Sequence, residues 1–161
     1  MKRLFTLFTL FWAVATISMA GLLVTEYLSV TKGSQVKSSV EVDTYYIISG
    51  IDQGDREYYL YDNGRQVKGS AEFPLSNEAT ASHLWTLKGN SGTWVIVNVA
   101  TGKKMNLGAS NGSSIDMSDT EQLNAIHFDS KGYMTILNPN GQAIDMTANG
   151  ANPTTWAGTT T

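Results

Sequence analysis

A repeated phrase in the chain limits its fold more than any other feature of this sequence. Residues 94–98 read Trp-Val-Ile-Val-Asn, and residues 134–138 read Met-Thr-Ile-Leu-Asn. In both places the asparagine ends a short apolar strand, a glycine turn follows, and a second strand begins a few residues later. The two asparagines, Asn98 and Asn138, lie about 40 residues apart. A period of this size is typical of domains that are built from repeated supersecondary units.

A longer copy of the phrase precedes these two. Residues 45–49 read Tyr-Tyr-Ile-Ile-Ser, which places Ser49 at the position of the asparagines. An Asn-Gly pair stands between apolar strands in every copy, and Asn-Gly is a strong hairpin signal. No window outside the N-terminal segment has a helical period. The sequence therefore predicts an all-β domain of three repeats, with these approximate limits: repeat one 44–92, repeat two 93–132 and repeat three 133–161.

Each of the first two repeats ends with one more strand. Alternation along residues 84–87 and 126–128 places two apolar side chains of each strand on one face. The predicted core therefore includes these inward side chains: Ile47, Trp85, Ile96, Val97, Phe128, Ile136 and Leu137.

Repeat three ends at Thr161, before the strand that would close it. A barrel without its last strand has open edges and an uncovered core. Two explanations remain open at this point. Either another part of the chain, such as residues 22–42, supplies the strand, or the chain is part of a longer protein, which we favour.

The N-terminus has the composition of an export signal. Lys2 and Arg3 precede a long apolar run, and small residues occupy the two positions before Gly21 that a signal peptidase reads. We predict a signal peptide at residues 1–20 that is cleaved after Ala20. The alternative is an uncleaved anchor, because the apolar run continues beyond the cleavage site and is long enough to span a bilayer.

A linker is predicted at residues 21–43, and residues 40–42 are a candidate for one strand within it. The chain that follows is predicted to be secreted or to lie in the cell envelope or periplasm. It has no cysteine, so it has no disulfide. An exported domain without disulfides points to a bacterial source.

Composition also excludes several kinds of function. The net charge is −3 and no run of Lys or Arg exists, so neither nucleic acid nor a membrane beyond the signal peptide is an expected partner. His83 and His127 have no nearby cysteine or histidine that would complete a metal site. No cofactor is predicted. The chain also lacks the order of nucleophile, histidine and carboxylate that an enzyme of that type needs, so we predict that it is not an enzyme.

The repeated pattern resembles that of the ricin-type β-trefoil lectins. The shared features are an apolar-x-Asn phrase, a glycine turn, a strand such as Ile-Asp-Met at 144–146, an Asn-Gly turn and a closing Trp-x-aliphatic strand at 85–87. The resemblance covers roughly residues 44–161. The family's closing signature is Gln-x-Trp, and this chain has His-Leu-Trp at 83–85 and Asn-Ala-Ile at 124–126 instead. The resemblance implies a β-trefoil, a six-stranded barrel capped by three hairpins.

The resemblance also implies where a sugar would bind. In the family, a carboxylate accepts hydrogen bonds from sugar hydroxyls, and an aromatic ring stacks on the apolar face of the sugar. Repeat three matches best, with Asp145 at the carboxylate position, Trp156 at the aromatic position and Thr154 at a polar one. Two alternatives remain. Trp156 would be a core residue if its strand were shifted by one position, and Asp145 could simply be solvated or cap a turn.

The other two repeats match this pattern less well. In repeat two Asn106 replaces the carboxylate and Ser118 stands at the aromatic position, while Asp116 and Asn124 remain as polar candidates. Repeat one has aromatic residues but no carboxylate on the strand that matches. We therefore expect one good ligand site at most.

Two functions are compatible with these observations. The first is a secreted, non-catalytic, lectin-like module that binds a glycan, either alone or as part of a larger secreted glycan-active protein with a covalently linked catalytic domain. The alternative is a protein-binding or structural β-trefoil, such as an inhibitor or a segment of an adhesin. The degenerate sites of repeats one and two favour this alternative.

Overall fold

The computed structural model describes residues 39–42, 44–73, 81–90, 92–146 and 148–158. The predicted signal peptide and most of the predicted linker lie outside these residues. Within them the chain forms twelve short strands and one helical turn. This strand content confirms the prediction of an all-β domain. No helix in the described part of the chain has the length and apolar character that crossing a membrane requires.

Among the described residues, the first repeat has five strands, the second has four and the third has three. The strands of repeat one are β1 (Tyr45–Tyr46), β2 (Ser49–Ile51), β3 (Glu57–Asp62), β4 (Val67–Ser70) and β5 (Trp85–Asn90). Those of repeat two are β6 (Thr93–Asn98), β7 (Lys104–Leu107), β8 (Ile115–Ser118) and β9 (Ala125–Phe128). Those of repeat three are β10 (Met134–Leu137), β11 (Gln142–Asp145) and β12 (Thr154–Ala157).

All strand pairs are antiparallel and form three small sheets. Their orders are β1-β5-β6-β7-β8, β12-β11-β10-β9 and β2-β3-β4. Each repeat contributes one hairpin around its Asn-Gly turn, namely β3–β4, β7–β8 and β11–β12. Among the described residues no strand follows β12, so the source of a closing strand stays a prediction.

A ring of backbone hydrogen bonds joins the three hairpins, and we call it the hairpin ring. In each bond, the donor lies in the outgoing strand of one hairpin and the acceptor lies just after the Asn-Gly turn of another. The three bonds run from Met117 N to Arg65 O, from Thr155 N to Ser113 O and from Gly69 N to Ala151 O. The donors occupy equivalent positions in the three repeats, and so do the acceptors. The ring therefore has the three-fold pseudosymmetry of a β-trefoil.

Two glycines allow the hairpins to approach this closely. A Cβ atom at Gly69 would lie 2.0 Å from the carbonyl oxygen of Gly150. A Cβ atom at Gly150 would in turn lie 2.1 Å from the ring of Tyr58. Since neither backbone can move without breaking the hairpin ring, only glycine fits at these two positions.

Apolar side chains from all three repeats fill one core. Most of the predicted core residues are buried there, and the Trp85 indole also donates a hydrogen bond to Leu60 O at 3.1 Å. Phe128 is only half-buried and does not pack against this core, so its assignment to the core is wrong. The assignment of Ile47 to the core is wrong, because its neighbour Ile48 is the buried one. The chain leaves β1 after Tyr46 and enters β2 only at Ser49, so strict alternation does not hold between them.

The same polar turn follows β2, β6 and β10, one strand in each repeat. Asn98 Oδ1 accepts hydrogen bonds from the backbone N–H groups of Ala100 and Thr101. Asn138 Oδ1 accepts them in the same way from Asn140 and Gln142. A side-chain oxygen that accepts from the backbone two residues later stabilises a tight turn.

In repeat one this turn is made by Asp52, and the prediction that placed Ser49 there is wrong. Asp52 Oδ1 accepts from Gly54 N at 2.8 Å and from Arg56 N at 3.1 Å. Asp55 has a φ of 56° and stands where repeat three has Gly141. Ser49 lies earlier, in β2, and donates to Glu57. A carboxylate oxygen can accept the same bonds as an amide oxygen, so Asp replaces Asn without changing the turn.

Two further local expectations are wrong. Residues 40–42 form no strand; the backbone N–H of Glu41 donates instead to the hydroxyl of Tyr46 at 2.8 Å. Residues 81–83 form a helical turn where no helix was expected. This turn buries His83, whose ring stacks on Tyr61 with 5.0 Å between centroids.

Candidate functional site

An open groove lies beside the β11–β12 hairpin of repeat three. Its volume is about 550 Å³. Residues from three strands and two turns line it, and we call it the Trp156 groove. The lining residues are Gln53, Thr135, Ala143, Ile144, Asp145, Ala148, Trp156, Ala157 and Gly158.

Trp156 forms one wall of the groove and faces outward. The register pairs Trp156 with Ala143 and its neighbour Thr155 with Ile144. Thr155 is fully buried, and its hydroxyl donates to Ser110 O at 2.8 Å. Because adjacent residues of a strand point to opposite faces, burial of Thr155 directs Trp156 to the surface, where 54% of its area is exposed. The alternative that Trp156 packs in the core is therefore wrong.

Asp145 ends β11 and lines the same groove as Trp156. It is half-buried and lies opposite Thr154 in the register. Thr154 is half-buried and, by alternation, lies on the same face of β12 as Trp156. The structure thus brings Asp145 and Trp156 together in one groove, with Thr154 on the adjoining position of the hairpin.

Small residues leave the space beside the indole open. The side chains of Ala143, Ala148 and Ala157 contribute only a methyl group each to the lining. Gly158 has no side chain, and an added Cβ there would lie 2.2 Å from Leu137, so a larger residue does not fit at this position of the lining. The result is an aromatic wall over a small-residue floor, with polar groups at the edge.

Of the nine lining residues only Asp145 and Trp156 were predicted as site residues, and two polar ones from outside the hairpin, Thr135 and Gln53, were not. Thr135 comes from β10, and Gln53 comes from the polar turn of repeat one, which packs against repeat three. Had Asp52 been aligned with Asn98 and Asn138, the sequence would have placed Gln53 at the tip of an ordered turn. Nothing in the sequence alone says that this tip reaches the groove of another repeat.

The turn that carries Gln53 is held by an ion pair. Arg56 donates from Nη2 to Asp52 Oδ2 at 2.7 Å and from Nε to the same oxygen at 3.1 Å. These side-chain hydrogen bonds hold the pKa of Asp52 below its ordinary value and raise the pKa of Arg56. The carboxylate also accepts two backbone bonds from the turn, so Gln53 projects from a fixed base.

In repeat two the corresponding residues are used within the chain. Asn106 Nδ2 donates to Lys104 O, to Ser118 Oγ and to Thr120 O at 3.0–3.1 Å. The amide thereby fastens the turn that follows β8. A role of Asn106 in ligand binding stays a prediction.

Asp116 and Asn124 lie apart from the Trp156 groove. Asp116 is exposed and accepts from Gln66 Nε2 at 3.3 Å and from Ser114 Oγ at 2.8 Å. Asn124 is fully buried, and its amide donates to Gln122 O at 3.0 Å. The structure therefore does not bring either residue into one site with Asp145, and their predicted ligand roles stay predictions.

Repeat one has carboxylates on the strand that matches β11, which corrects the expectation that it has none. They are Glu57 and Asp62, at the two ends of β3. Glu57 accepts from the hydroxyl of Tyr59 at 2.7 Å, and Asp62 accepts from the hydroxyl of Thr101 at 2.6 Å. The position equivalent to Asp145 is held by Tyr61.

The Trp156 groove has a single charged lining residue, Asp145. No Lys, Arg or His is among the lining residues. In the described part of the chain, no three His, Cys, Asp or Glu side chains are grouped so that they could hold a metal ion. The arrangement can accept hydrogen bonds and offer an apolar flat face to an uncharged ligand.

No protein-family model matches the chain, and no curated protein matches it in sequence. Solved structures are nevertheless similar to it. A ricin B-like lectin from Macrolepiota procera, solved in complex with lactose, superposes with a TM-score of 0.57 at 12% identity; the match covers 76% of this chain and 91% of the lectin.

A second similar structure is the GlcNAcα1-4Gal-releasing endo-β-galactosidase from Clostridium perfringens. Its TM-score is 0.54 at 16% identity, and the match covers 73% of this chain. The chain thus corresponds to only 29% of the length of that enzyme. Together with the hairpin ring, these likenesses show that the chain has the ricin B-like β-trefoil fold, as its sequence predicted.

Proposed function

We propose that this chain is a carbohydrate-binding, lectin-like domain and that the Trp156 groove is its sugar site. The observation that carries the proposal is the half-exposed indole of Trp156 beside the carboxylate of Asp145. A sugar ring has one face of C–H groups and a rim of hydroxyls, so it needs a flat apolar surface and a few polar groups held nearby. The groove offers both.

The charge of the groove supports an uncharged sugar. Asp145 is the one charged side chain in the lining, and a carboxylate accepts hydrogen bonds from hydroxyls more strongly than a neutral oxygen does. It repels a second carboxylate or a sulfate for the same reason. We therefore expect neutral glycans to bind and sialylated or sulfated ones to bind less well.

The two similar structures add support of a coarser kind. One is a lectin that was solved with lactose, and the other belongs to an enzyme that releases a disaccharide from a glycan. A β-trefoil can serve many functions, so the fold alone does not decide between them. The groove is what makes sugar binding the preferred function.

The proposal does not include catalysis by this domain. Glycoside hydrolysis usually needs two carboxyl groups on either side of the scissile bond. The lining of the groove contributes one, Asp145. We propose instead that the domain is exported, to the cell envelope or beyond it, and that it serves as the binding module of a larger glycan-active protein.

A single site of this kind should bind weakly. We expect a dissociation constant on the order of 0.1–1 mM, or about −4 to −5.5 kcal/mol. Tethering to a second module, or several copies on one surface, would raise the overall affinity without a new contact. Measurements should therefore use a multivalent display of the protein.

A glycan array with Trp156→Ala tests the proposal. We expect the wild-type protein to bind neutral glycans and the variant to lose at least about tenfold in affinity, about 1.4 kcal/mol. Leu123→Ala is the matched control, since Leu123 is exposed to a similar degree but lies in repeat two. Equal binding by wild type and Trp156→Ala would exclude this groove as the site, and capture of proteins without any glycan would favour the protein-binding alternative.

A further inference from the structure

A second exposed aromatic residue lies on the same side of β10 as the Trp156 groove. Tyr133 directly precedes β10 and 60% of its area is exposed. Thr135, two residues later, lines the groove. Side chains two apart on an extended chain point to the same face and stand about 7 Å apart along it. Tyr133 is outside the lining of the groove itself, and alternation places it on the same face of the chain as Thr135.

The backbone holds Tyr133 in place. Its N–H donates to Asp129 Oδ1 at 2.8 Å, and its carbonyl accepts from Asp129 N at 3.0 Å. Gly132, with a φ of 82°, completes this turn. Both backbone polar groups of Tyr133 are thus fixed, and a tyrosine ring has few rotatable bonds of its own. A ligand that stacks on the ring has little ordering entropy to overcome.

Two polar side chains, Asp145 and Thr135, lie between the two aromatic residues. Trp156 lies on β12, Asp145 on β11, and Thr135 followed by Tyr133 on β10. The ladder between β10 and β11 consists of the pair Leu137 and Ala143, and the groove opens where this pairing ends. Neighbouring strands lie about 4.8 Å apart, so β12 and β10 are separated by roughly 10 Å where they are paired. Trp156 is level with Leu137 in the register, and Tyr133 lies four residues, roughly 13 Å, further along the chain from Leu137. The two rings are too far apart to hold the same sugar.

We infer that the Trp156 groove extends to Tyr133 and binds a neutral oligosaccharide of at least two sugar units. One sugar stacks on Trp156 and bonds to Asp145, and a later unit of the same chain stacks on Tyr133. This inference rests on the proposed function and names the ligand class of that site. An apolar peptide fits less well, because the polar side chains of Asp145 and Thr135 lie between the two rings and an apolar ligand would remove them from water.

Binding as a function of glycan length tests the inference. The probe is an array of neutral glucose-, galactose-, mannose- and N-acetylglucosamine-based glycans of one to six units. We expect wild-type affinity to rise at least about fivefold from one unit to the preferred length. Tyr133→Ala should remove this gain and leave monosaccharide binding within about twofold, whereas Tyr133→Phe should retain it. Trp156→Ala should weaken binding at every length.

Controls separate the possible failures. Tyr45→Ala removes a tyrosine that is also largely exposed but belongs to β1, and it should bind like wild type. Tyr133→Ser provides a second truncation should the alanine variant melt at a lower temperature. If wild type binds but shows no gain with length, or if Tyr133→Ala binds every length as wild type does, the inference is wrong and the proposed function survives. If wild type binds no glycan, both are wrong.

Discussion

Repeats two and three place different residues at the same position, and these residues make different contacts. Asp145 of repeat three lines the Trp156 groove. Its equivalent, Asn106, uses its amide to hold Ser118 and the carbonyl of Thr120. Where repeat three has an exposed indole, repeat two has a serine that accepts this bond. The residues of one hairpin thus line the open Trp156 groove, and those of the other bond to their own turn.

The backbone beneath these faces is nevertheless the same. The bonds of the hairpin ring come from equivalent positions in all three repeats and involve no side chain. The polar turn after β2, β6 and β10 likewise recurs, and the residue that accepts its hydrogen bonds is Asp52, Asn98 or Asn138. We conclude that the hairpin ring and the polar turns restrict the residues at their own positions. The outward residues of each hairpin make neither contact, so they can differ between repeats.

Gly69→Ala should break the shared scaffold and have the largest effect. Its added methyl group would lie 2.0 Å from Gly150 O, an oxygen of the backbone that cannot rotate away. We expect a loss of about 3 kcal/mol in the free energy of unfolding, measured by chemical denaturation. Gly112→Ala is the matched control: its φ is 75° but the space around it is open, so the loss should be about 1 kcal/mol. Equal losses would mean that close packing of the hairpins is unimportant.

Asn106→Asp should show that repeat two cannot simply adopt the residue of repeat three. The substitution replaces a donor with a carboxylate that faces the carbonyl oxygens of Lys104 and Thr120. We expect a loss of about 1–3 kcal/mol in the free energy of unfolding at neutral pH. Asn140→Asp introduces the same charge at an exposed position and should change stability by less than about 0.5 kcal/mol. An unchanged melting temperature for Asn106→Asp would show that this amide is not needed for the turn.

Asp52→Asn should have the smallest effect, visible in the pH dependence of stability. Hydrogen bonds from Arg56 lower the pKa of Asp52 in the folded protein below its ordinary value of 3.8. The ion pair therefore contributes fully above that pH, and its contribution is lost as the pH falls through the lower folded-state pKa. Since Asn98 and Asn138 make the same turn, the variant should fold normally.

Thermal melts between pH 2 and pH 6 would measure this effect. The melting temperature of Asp52→Asn should depend less on pH below about pH 4 than that of wild type. Asp119→Asn, which removes an exposed aspartate, controls for the loss of one carboxylate. A variant curve parallel to that of wild type throughout would mean that the Asp52–Arg56 pair has no share in acid stability.

The sequence was sufficient to predict those features that rest on local chemistry. The turns at Asn98 and Asn138 and the Asn-Gly hairpins follow from residue type. The sequence left open which face of its strand Trp156 occupies, and the register with buried Thr155 decided it. Repeat one was harder, because Asp52 and Asp55 replace the Asn and Gly of the other repeats. The apolar run at residues 45–48 resembles the strands before Asn98 and Asn138, and this likeness placed Ser49 at the asparagine position and Ile47, instead of Ile48, in the core.

Only the part of the candidate site that lies within one hairpin was predicted from the sequence. Asp145 and Trp156 belong to one hairpin, so counting from its turn was enough to pair them. Gln53 and Thr135 reach the groove from other parts of the chain, and no local pattern reports how repeats pack against each other. The stacking of Tyr61 on His83 is likewise a contact between distant segments, and it was not foreseen.

The hairpin ring also has a consequence for the order in which this chain folds. Each hairpin can form alone from neighbouring residues, but the ring closes only when the first hairpin meets the last. The Lys68–Asn152 side-chain bond at that junction joins residues 84 positions apart. Closing so long a loop has a high entropic cost, so folding should be slow and this junction should form late. The Trp156 groove, which takes Gln53 from the first repeat, is complete only after that step.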